Sequence, residues 1–197
     1  MIKDLFAVPF LNTDLNLNLD ELVKFSFETR EEDKEGRTFS NRGLGGWQSN
    51  NLKDKPNCIN ILQQHIINNV VDLQKKYSIK KEARPVIDNL WININEKGNS
   101  NLIHIHPGCF FSGVFYVQCN EKLSSKLVFF HPAYDLMQYD WHDRFYDKYV
   151  ENNSPMWRVV PKPNSLILFP SWLQHSVEAN PSTETRISIS FNIQLKN

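Results

Sequence analysis

The stretch Asn101-Leu-Ile-His104-Ile-His106-Pro-Gly-Cys-Phe110-Phe-Ser-Gly-Val-Phe-Tyr116-Val-Gln118 decides how the chain folds. Its apolar, aromatic and β-branched runs are too short for a core helix and break at Pro107-Gly108, so they read as two strands, 102–106 and 110–118. Successive side chains of a strand face opposite ways, so His104 and His106 project together and Ile105 is expected to be buried behind them. Two imidazoles on one face make a two-pronged ligand. A third, His175, sits on a later strand, and the two strands must meet to complete a metal face.

Outward from that stretch the pattern stays extended. Residues 86–95, 126–130, 157–160, 165–169, 175–178 and 186–194 are further apolar, β-branched or aromatic runs. Turn-rich segments such as Glu96-Lys97-Gly98-Asn99 and Asn180-Pro181-Ser182-Thr183 separate them. About eight strands without interleaved helices predict a mainly β architecture, a sandwich or barrel. The helices lie before residue 80 and would buttress one face. Residues 56–77 carry Ile59, Leu62, Ile66, Val70, Leu73 and Tyr77 at steps of three and four, which predicts a helix. A shorter helix is predicted to start at Asn18, with Glu21 three residues on as in a capping box and an apolar stripe of Leu19, Leu22, Val23 and Phe27. The charged run 30–34 ends it. A strand is expected at 5–10, and residues 40–49, rich in Gly and Asn, form a loop with Trp47 to pack. The polar and aromatic stretch 134–155 reads as a long insertion between strands.

Composition narrows the partners. Lys plus Arg and Asp plus Glu both number 22, so no net field draws the chain to nucleic acid or to an anionic membrane. No run of about eighteen apolar residues predicts a transmembrane helix, and no secretion signal is visible at the N-terminus. Cys58, Cys109 and Cys119 are odd in number and lack C-x-x-C spacing, which argues against a disulfide framework and fits a reducing cytoplasm. The 197 residues are expected to form one domain. In it, 1–84 would be N-terminal strand and helical support, and 85–197 the β core.

The chemistry follows from spacing. Three neutral imidazoles, or two with a carboxylate, leave positions open where iron could take a bidentate acid together with oxygen. Arg186, eleven residues after His175, shares a strand face with Ser188 and Ser190, because Ile187, Ile189 and Phe191 take the other. A guanidinium and a hydroxyl so placed can grip one carboxylate, the Arg through two parallel hydrogen bonds. His65, His131 and His142 read as surface or packing histidines. Among the Trp residues only Trp172, close to His175, has a claim on the pocket. The Gly43–Gly46 loop lacks a following Lys-Ser/Thr and is not a phosphate loop.

At these residues the chain resembles the iron(II)- and 2-oxoglutarate-dependent oxygenases. The segments are 101–117, Leu168-Phe-Pro-Ser-Trp-Leu-Gln-His175-Ser-Val, and Arg186-Ile-Ser-Ile-Ser-Phe-Asn192, with Gly46-Trp47-Gln48-Ser49 near the N-terminus. More narrowly it is similar to a small branch also found in cyanobacterial viruses. The resemblance covers most of the chain. It implies a double-stranded β-helix (jelly roll, cupin-like), iron at its mouth held by His104, His106 and His175, and 2-oxoglutarate bound by Arg186 with Ser188 and Ser190. By the same similarity Tyr116 and Asn93 line the cosubstrate pocket. The implied reaction takes O2 and releases succinate and CO2, most simply hydroxylating a protein side chain or a small molecule, with His104, His106, His175 and Arg186 as the catalytic set.

The chain departs from the superfamily's usual His, any residue, Asp or Glu, since it offers His104-Ile105-His106. Either His106 takes the acid's place, or His106 is the first ligand and Gly108 stands where the acid would be, as in halogenating members. Strand alternation favours the first. A carboxylate from Asp88 or Asp143 is a third arrangement. Two other classes stay open: a three-His cupin-like metal enzyme that uses no keto acid, and a non-catalytic metal-binding β-sandwich. No nucleic acid or membrane partner is expected, the location is expected to be cytoplasmic (host cytoplasm if viral), and the oligomeric state is left unassigned.

Overall fold

In β10 (Arg186–Lys196) the side chains sort by parity, and this strand organises the layers. Ile187, Ile189, Phe191 and Ile193 are fully buried on one side, while Arg186, Ser188, Ser190 and Asn192 face the other. The computed structural model describes residues 7–37, 45–52, 55–123, 125–137 and 145–197. Before β10 come β1 (Leu11–Asp14), α1 (Leu19–Glu32), β2 (Trp47–Gln48), α2 (Asn57–Lys76), β3 (Arg84–Asn95) and β4 (Asn101–His104). Then follow β5 (Phe111–Gln118), β6 (Leu127–Phe130), β7 (Met156–Val159), β8 (Ser165–Pro170) and β9 (His175–Val177).

Two antiparallel sheets result, one in the order β1-β8-β5-β10-β3-β2 and one in the order β4-β9-β6-β7. The larger sheet has two apolar faces. Its Leu90, Ile92, Ile94, Phe115, Leu166, Leu168 and the odd residues of β10 pack on Leu22, Ile59, Leu62, Ile66, Val70 and Leu73 of the helices. Its Val114, Tyr116, Ile167 and Phe169 pack on Leu127, Phe129 and Val159 of the smaller sheet. The helices therefore cover one face, and the second sheet closes the other into a mainly β double layer, the double-stranded β-helix.

The helix from 56 to 77 forms as the spacing predicts, with Pro56 and Tyr77 as its end residues. α1 starts at Asn18, whose Oδ1 accepts from the Asp20 N–H at 3.1 Å. Its stripe is shifted from the expected one. Ser26 is buried, made compatible by its hydroxyl donating to the Leu22 carbonyl at 2.7 Å, whereas Phe27 is exposed.

Three expectations are corrected. Residues 7–10 carry no regular structure, and the first strand among the described residues is β1, paired with Leu168–Ser165 of β8; Pro9 has no N–H to give to a ladder. Residues 1–6 lie outside the described residues. Trp47, placed in a loop by composition, lies in a two-residue strand opposite Ile94, its indole N–H donating to the Asp33 carbonyl at 2.7 Å. Strand β4 ends at His104, so His106 lies beyond it, and Ile105 is 46% exposed. Residues 138–144 of the expected insertion, with His142 and Asp143, lie outside the described residues.

Gly113 lies mid-strand in β5, where a Cβ would meet Phe191 Cζ at 2.5 Å, the Ile167 carbonyl oxygen at 2.6 Å and Leu168 Cδ2 at 2.8 Å. One of these neighbours is backbone and cannot swing aside. Gly113→Ala is expected to destabilise by about 2–3 kcal/mol, the upper end for overpacking, as measured by urea unfolding.

Candidate active site

The histidines converge from three different backbone settings. His104 and His175 are directly opposite in the β4–β9 register, which brings their Cβ atoms together across the ladder. Their ring centroids are 4.3 Å apart. His106 reaches the same spot from the turn after β4, and its N–H donates to the Ser171 carbonyl at 3.0 Å. Ser171 is itself anchored, because its hydroxyl pairs with that of Ser112, which donates to Asn192 Oδ1 on β10. The His106 ring centroid lies 5.0 Å from that of His104 and 5.1 Å from that of His175. One ring nitrogen from each of the three can be chosen so that all lie within 4.8 Å of one another. Pairing alternation would have aimed His106 by strand geometry; a pinned turn aims it instead.

Hydrogen bonding selects the nitrogen that two of the rings present. His175 Nδ1 is 2.8 Å from the Leu173 carbonyl and His104 Nδ1 is 2.6 Å from the Leu102 carbonyl. A carbonyl can only accept, so Nδ1 carries the proton and Nε2 keeps its lone pair. Burial, reinforced by the neighbouring imidazoles, pushes His175 down to about 3 and His106 to about 4. Both rings are therefore neutral at pH 7 and able to ligate.

These shifts make a stability prediction for the metal-free protein. The folded pKa values lie below the unfolded value of 6.5, so between pH 6.5 and 4 the unfolded chain binds more protons than the folded one. Stability is then greatest above 6.5 and falls as pH drops through that window. The expected result is a Tm that declines from pH 7 to pH 4, with a shallower decline in His175→Phe.

Behind the histidines a cavity runs between the sheets. Its wall includes Trp91 and Asn93 of β3, Val114 and Tyr116 of β5, Leu127, Phe169, and Arg186, Ser188 and Ser190 of β10. Of the residues expected in the site, His104, His106, His175, Arg186, Ser188, Ser190, Tyr116 and Asn93 thus lie on one cavity. Arg186 is 3% exposed, and its Nη1 donates to the Ser125 hydroxyl. Its Nε is buried with no acceptor among the described residues. Burial pulls its pKa down, against the opposing influence of Tyr116 and Cys119. The same burial raises Tyr116 to about 12, so its phenol stays protonated, with Arg186 opposing the shift. Asn93 donates to Ser190 Oγ and accepts from Gln48 Nε2, both at 2.9 Å.

A buried guanidinium whose Nε has no acceptor, in a wall with no carboxylate among the described residues, could take an anion. Three imidazoles grouped in this way could hold a divalent transition metal. A family described as "Putative 2OG-Fe(II) oxygenase" matches residues 89–192, the segment that contains all of these groups. The chain belongs to this oxygenase family. It is an oxidoreductase by that membership. Solved structures agree on the fold. A prolyl-4-hydroxylase of Pseudomonas putida is 12% identical over 96% of this chain and 94% of that one, with a TM-score of 0.62. The viral collagen prolyl hydroxylase of Paramecium bursaria Chlorella virus-1, solved as a 2-oxoglutarate complex, is 13% identical over 93% and 94%, with a TM-score of 0.58. AviO1 of Streptomyces viridochromogenes Tue57 is 12% identical over 95% and 90%, at 0.63. No curated protein matches the chain.

In this oxygenase the alternatives for the missing acid separate by position. Gly108 stands in the turn with its carbonyl accepting from Gln194 Nε2, outside the cavity wall, and Asp88 is exposed outside the three-His group. Asp143 lies outside the described residues. Trp172 is 53% exposed and takes no part in the wall, whereas Trp91 does. Gln48 and Ser125 were also missed by sequence reasoning. Trp91 could have been found, since it alternates with Asn93 on one face of β3; Ser125 carries no signal, because only the fold brings it to Arg186. No helix among the described residues is long and apolar enough to cross a membrane.

Proposed function

We propose that the chain is an iron(II)- and 2-oxoglutarate-dependent dioxygenase that hydroxylates a protein side chain or a small molecule. The observation that carries this reading is Arg186, a buried cation with an unused N–H at one end of a cavity that carries three lone-pair imidazoles as well. His104, His106 and His175 would hold the metal through neutral nitrogens. Arg186 would take the distal carboxylate of the keto acid in a charge-assisted pair, with Ser188 beside it on the same strand face and the protonated Tyr116 hydroxyl across the β5–β10 register. Asn93 and Ser190, already hydrogen-bonded to each other, would complete that side of the pocket.

Iron with the keto acid and O2 supplies oxidative chemistry that no side chain provides, with succinate and CO2 as products. The residues' own contributions are separable. His106 and His175 stay neutral because burial holds their pKa values down, so at these two rings metal does not compete with protons near pH 7. Phe169 and Phe129, packed against His175 with ring centroids 4.7 and 6.3 Å away, keep water from that side of the ring. Arg186 fixes the cosubstrate's far end and so its orientation.

The test is an anaerobic titration of the iron(II)-loaded protein with 2-oxoglutarate, following the weak visible charge-transfer band of a chelated keto acid. A saturable band is expected. Iron binding with no band at saturating keto acid would overturn the reading in favour of a three-His metal protein that uses no keto acid.

A further inference from the structure

Trp91 presents a hydrogen-bond donor that no acceptor among the described residues takes up. Its ring is 7% exposed, lines the cavity and lies 5.9 Å from the His106 ring, centroid to centroid. Its Nε1 is buried without an acceptor among the described residues. A buried indole N–H usually finds a partner, and leaving it without one is destabilising. The position of this donor separates it from the cosubstrate. In the β3–β10 register Trp91 stands opposite Ser190, whereas Asn95 stands opposite Arg186. Trp91 is therefore four strand residues from the Arg186 end, about 13 Å at ~3.3 Å per residue, on the His106 side of the metal group.

The walls around it narrow the ligand's chemistry. Besides the three histidines, the polar side chains of the cavity are Gln48, Asn93, Asn101, Tyr116, Ser188, Ser190 and the Arg186 cation; no Asp or Glu is among the lining residues. Among the described residues a cationic substrate group would find no counter-charge in that wall, and the wall's Arg186 cation stands four strand residues away. A neutral acceptor would find Trp91. Resting on the oxygenase reading above, we infer that Trp91 Nε1 receives a neutral carbonyl or amide oxygen of the prime substrate next to the metal face, which makes the substrate an uncharged, amide-bearing group. Trp91 is a specificity-determining residue in this scheme.

The experiment uses protein loaded with Zn(II), which does not turn over, and saturated with 2-oxoglutarate. The indole N–H signals are followed by ¹⁵N NMR, with the Trp91 signal assigned by its loss in Trp91→Phe and by its proximity to His106 ring protons. The probes are N-methylacetamide, acetate and methylammonium. The Trp91 signal is expected to move saturably with N-methylacetamide and to ignore methylammonium. Ligand-observed saturation transfer is expected to show amide binding weakened about two- to tenfold in Trp91→Phe, the loss of one neutral hydrogen bond. If the signal ignores the amide, or answers methylammonium equally, the inference is overturned. If it answers 2-oxoglutarate and Trp91→Phe weakens the keto acid instead, the donor belongs to the cosubstrate; the inference falls and the oxygenase reading survives. If 2-oxoglutarate does not bind but the amide still moves the signal, the subsite stands and the oxygenase reading fails. Because the titration is read on wild-type protein, and the His106 contact assigns the signal independently, a variant that fails to fold leaves the test intact.

Discussion

Arg186→Ala is expected to raise the dissociation constant for 2-oxoglutarate by about 30-fold to several-thousand-fold, without changing the metal content. The range follows from truncating one partner of a desolvated charge pair, which costs about 2–5 kcal/mol. The upper part is favoured here because the guanidinium is almost wholly buried and water cannot replace it. Arg186→Lys should recover only a fraction, since a single ammonium lacks the fork that matches a carboxylate. The measurement is the charge-transfer titration repeated on each variant, with iron quantified alongside. The metal should be indifferent to both changes, because the three histidines sit on β4, β9 and the Ser171-pinned turn rather than on β10. Wild-type keto acid affinity in Arg186→Ala would place the cosubstrate anchor elsewhere.

The second large effect concerns the position where the superfamily's carboxylate usually stands. His106→Ala is expected to weaken iron(II) binding by on the order of 100-fold or more, since loss of even an outer-shell partner costs 10- to 100-fold. His106→Asp should retain metal, because it restores the two-His, one-carboxylate set. Gly108→Asp should give no gain, its residue being in the turn and outside the cavity wall. Chelator competition under anaerobic conditions measures all three. If Gly108→Asp raised affinity and His106→Asp did not, the vacant-position arrangement would replace the three-His face.

Much of this was legible in the sequence for a single physical reason: strand periodicity of two is strict where both faces of a sheet are committed. In β10 the apolar parity had to face the helices, so Arg186, Ser188 and Ser190 could only share the other side. The same rule put His104 and His106 on one face, and helix spacing named the α2 stripe. The rule failed where the backbone left the ladder. Ile105 was expected to be buried because residues 102–106 read as one strand, yet the strand stops at His104 and Ser171 takes the His106 N–H. Trp47 was hidden by its Gly-rich neighbours, since a two-residue strand leaves too little periodicity to see. Phe27 lost its place to Ser26 because a hydroxyl bonded to its own helix's carbonyl can be buried cheaply. The sequence gives the Trp91 donor no claim on the pocket, because a donor without an acceptor becomes visible only once its surroundings are known.

The two receptors in the cavity are held with unequal firmness. Arg186 stands in a strand paired on both sides, by β3 and β5, over most of its length. The His104–His175 side depends on β4, an edge strand joined to β9 at Asn101 and His104 with irregular register between them. Local opening draws on the least-paired segments first, so β4 can detach transiently while the central strands stay closed. A ligand that bridges β4, β9 and the Ser171-pinned turn would act as a rivet across that seam, adding its binding energy to the closed form alone. The Arg186 wall is then kept by the fold, and the histidine wall would be kept in large part by its occupant.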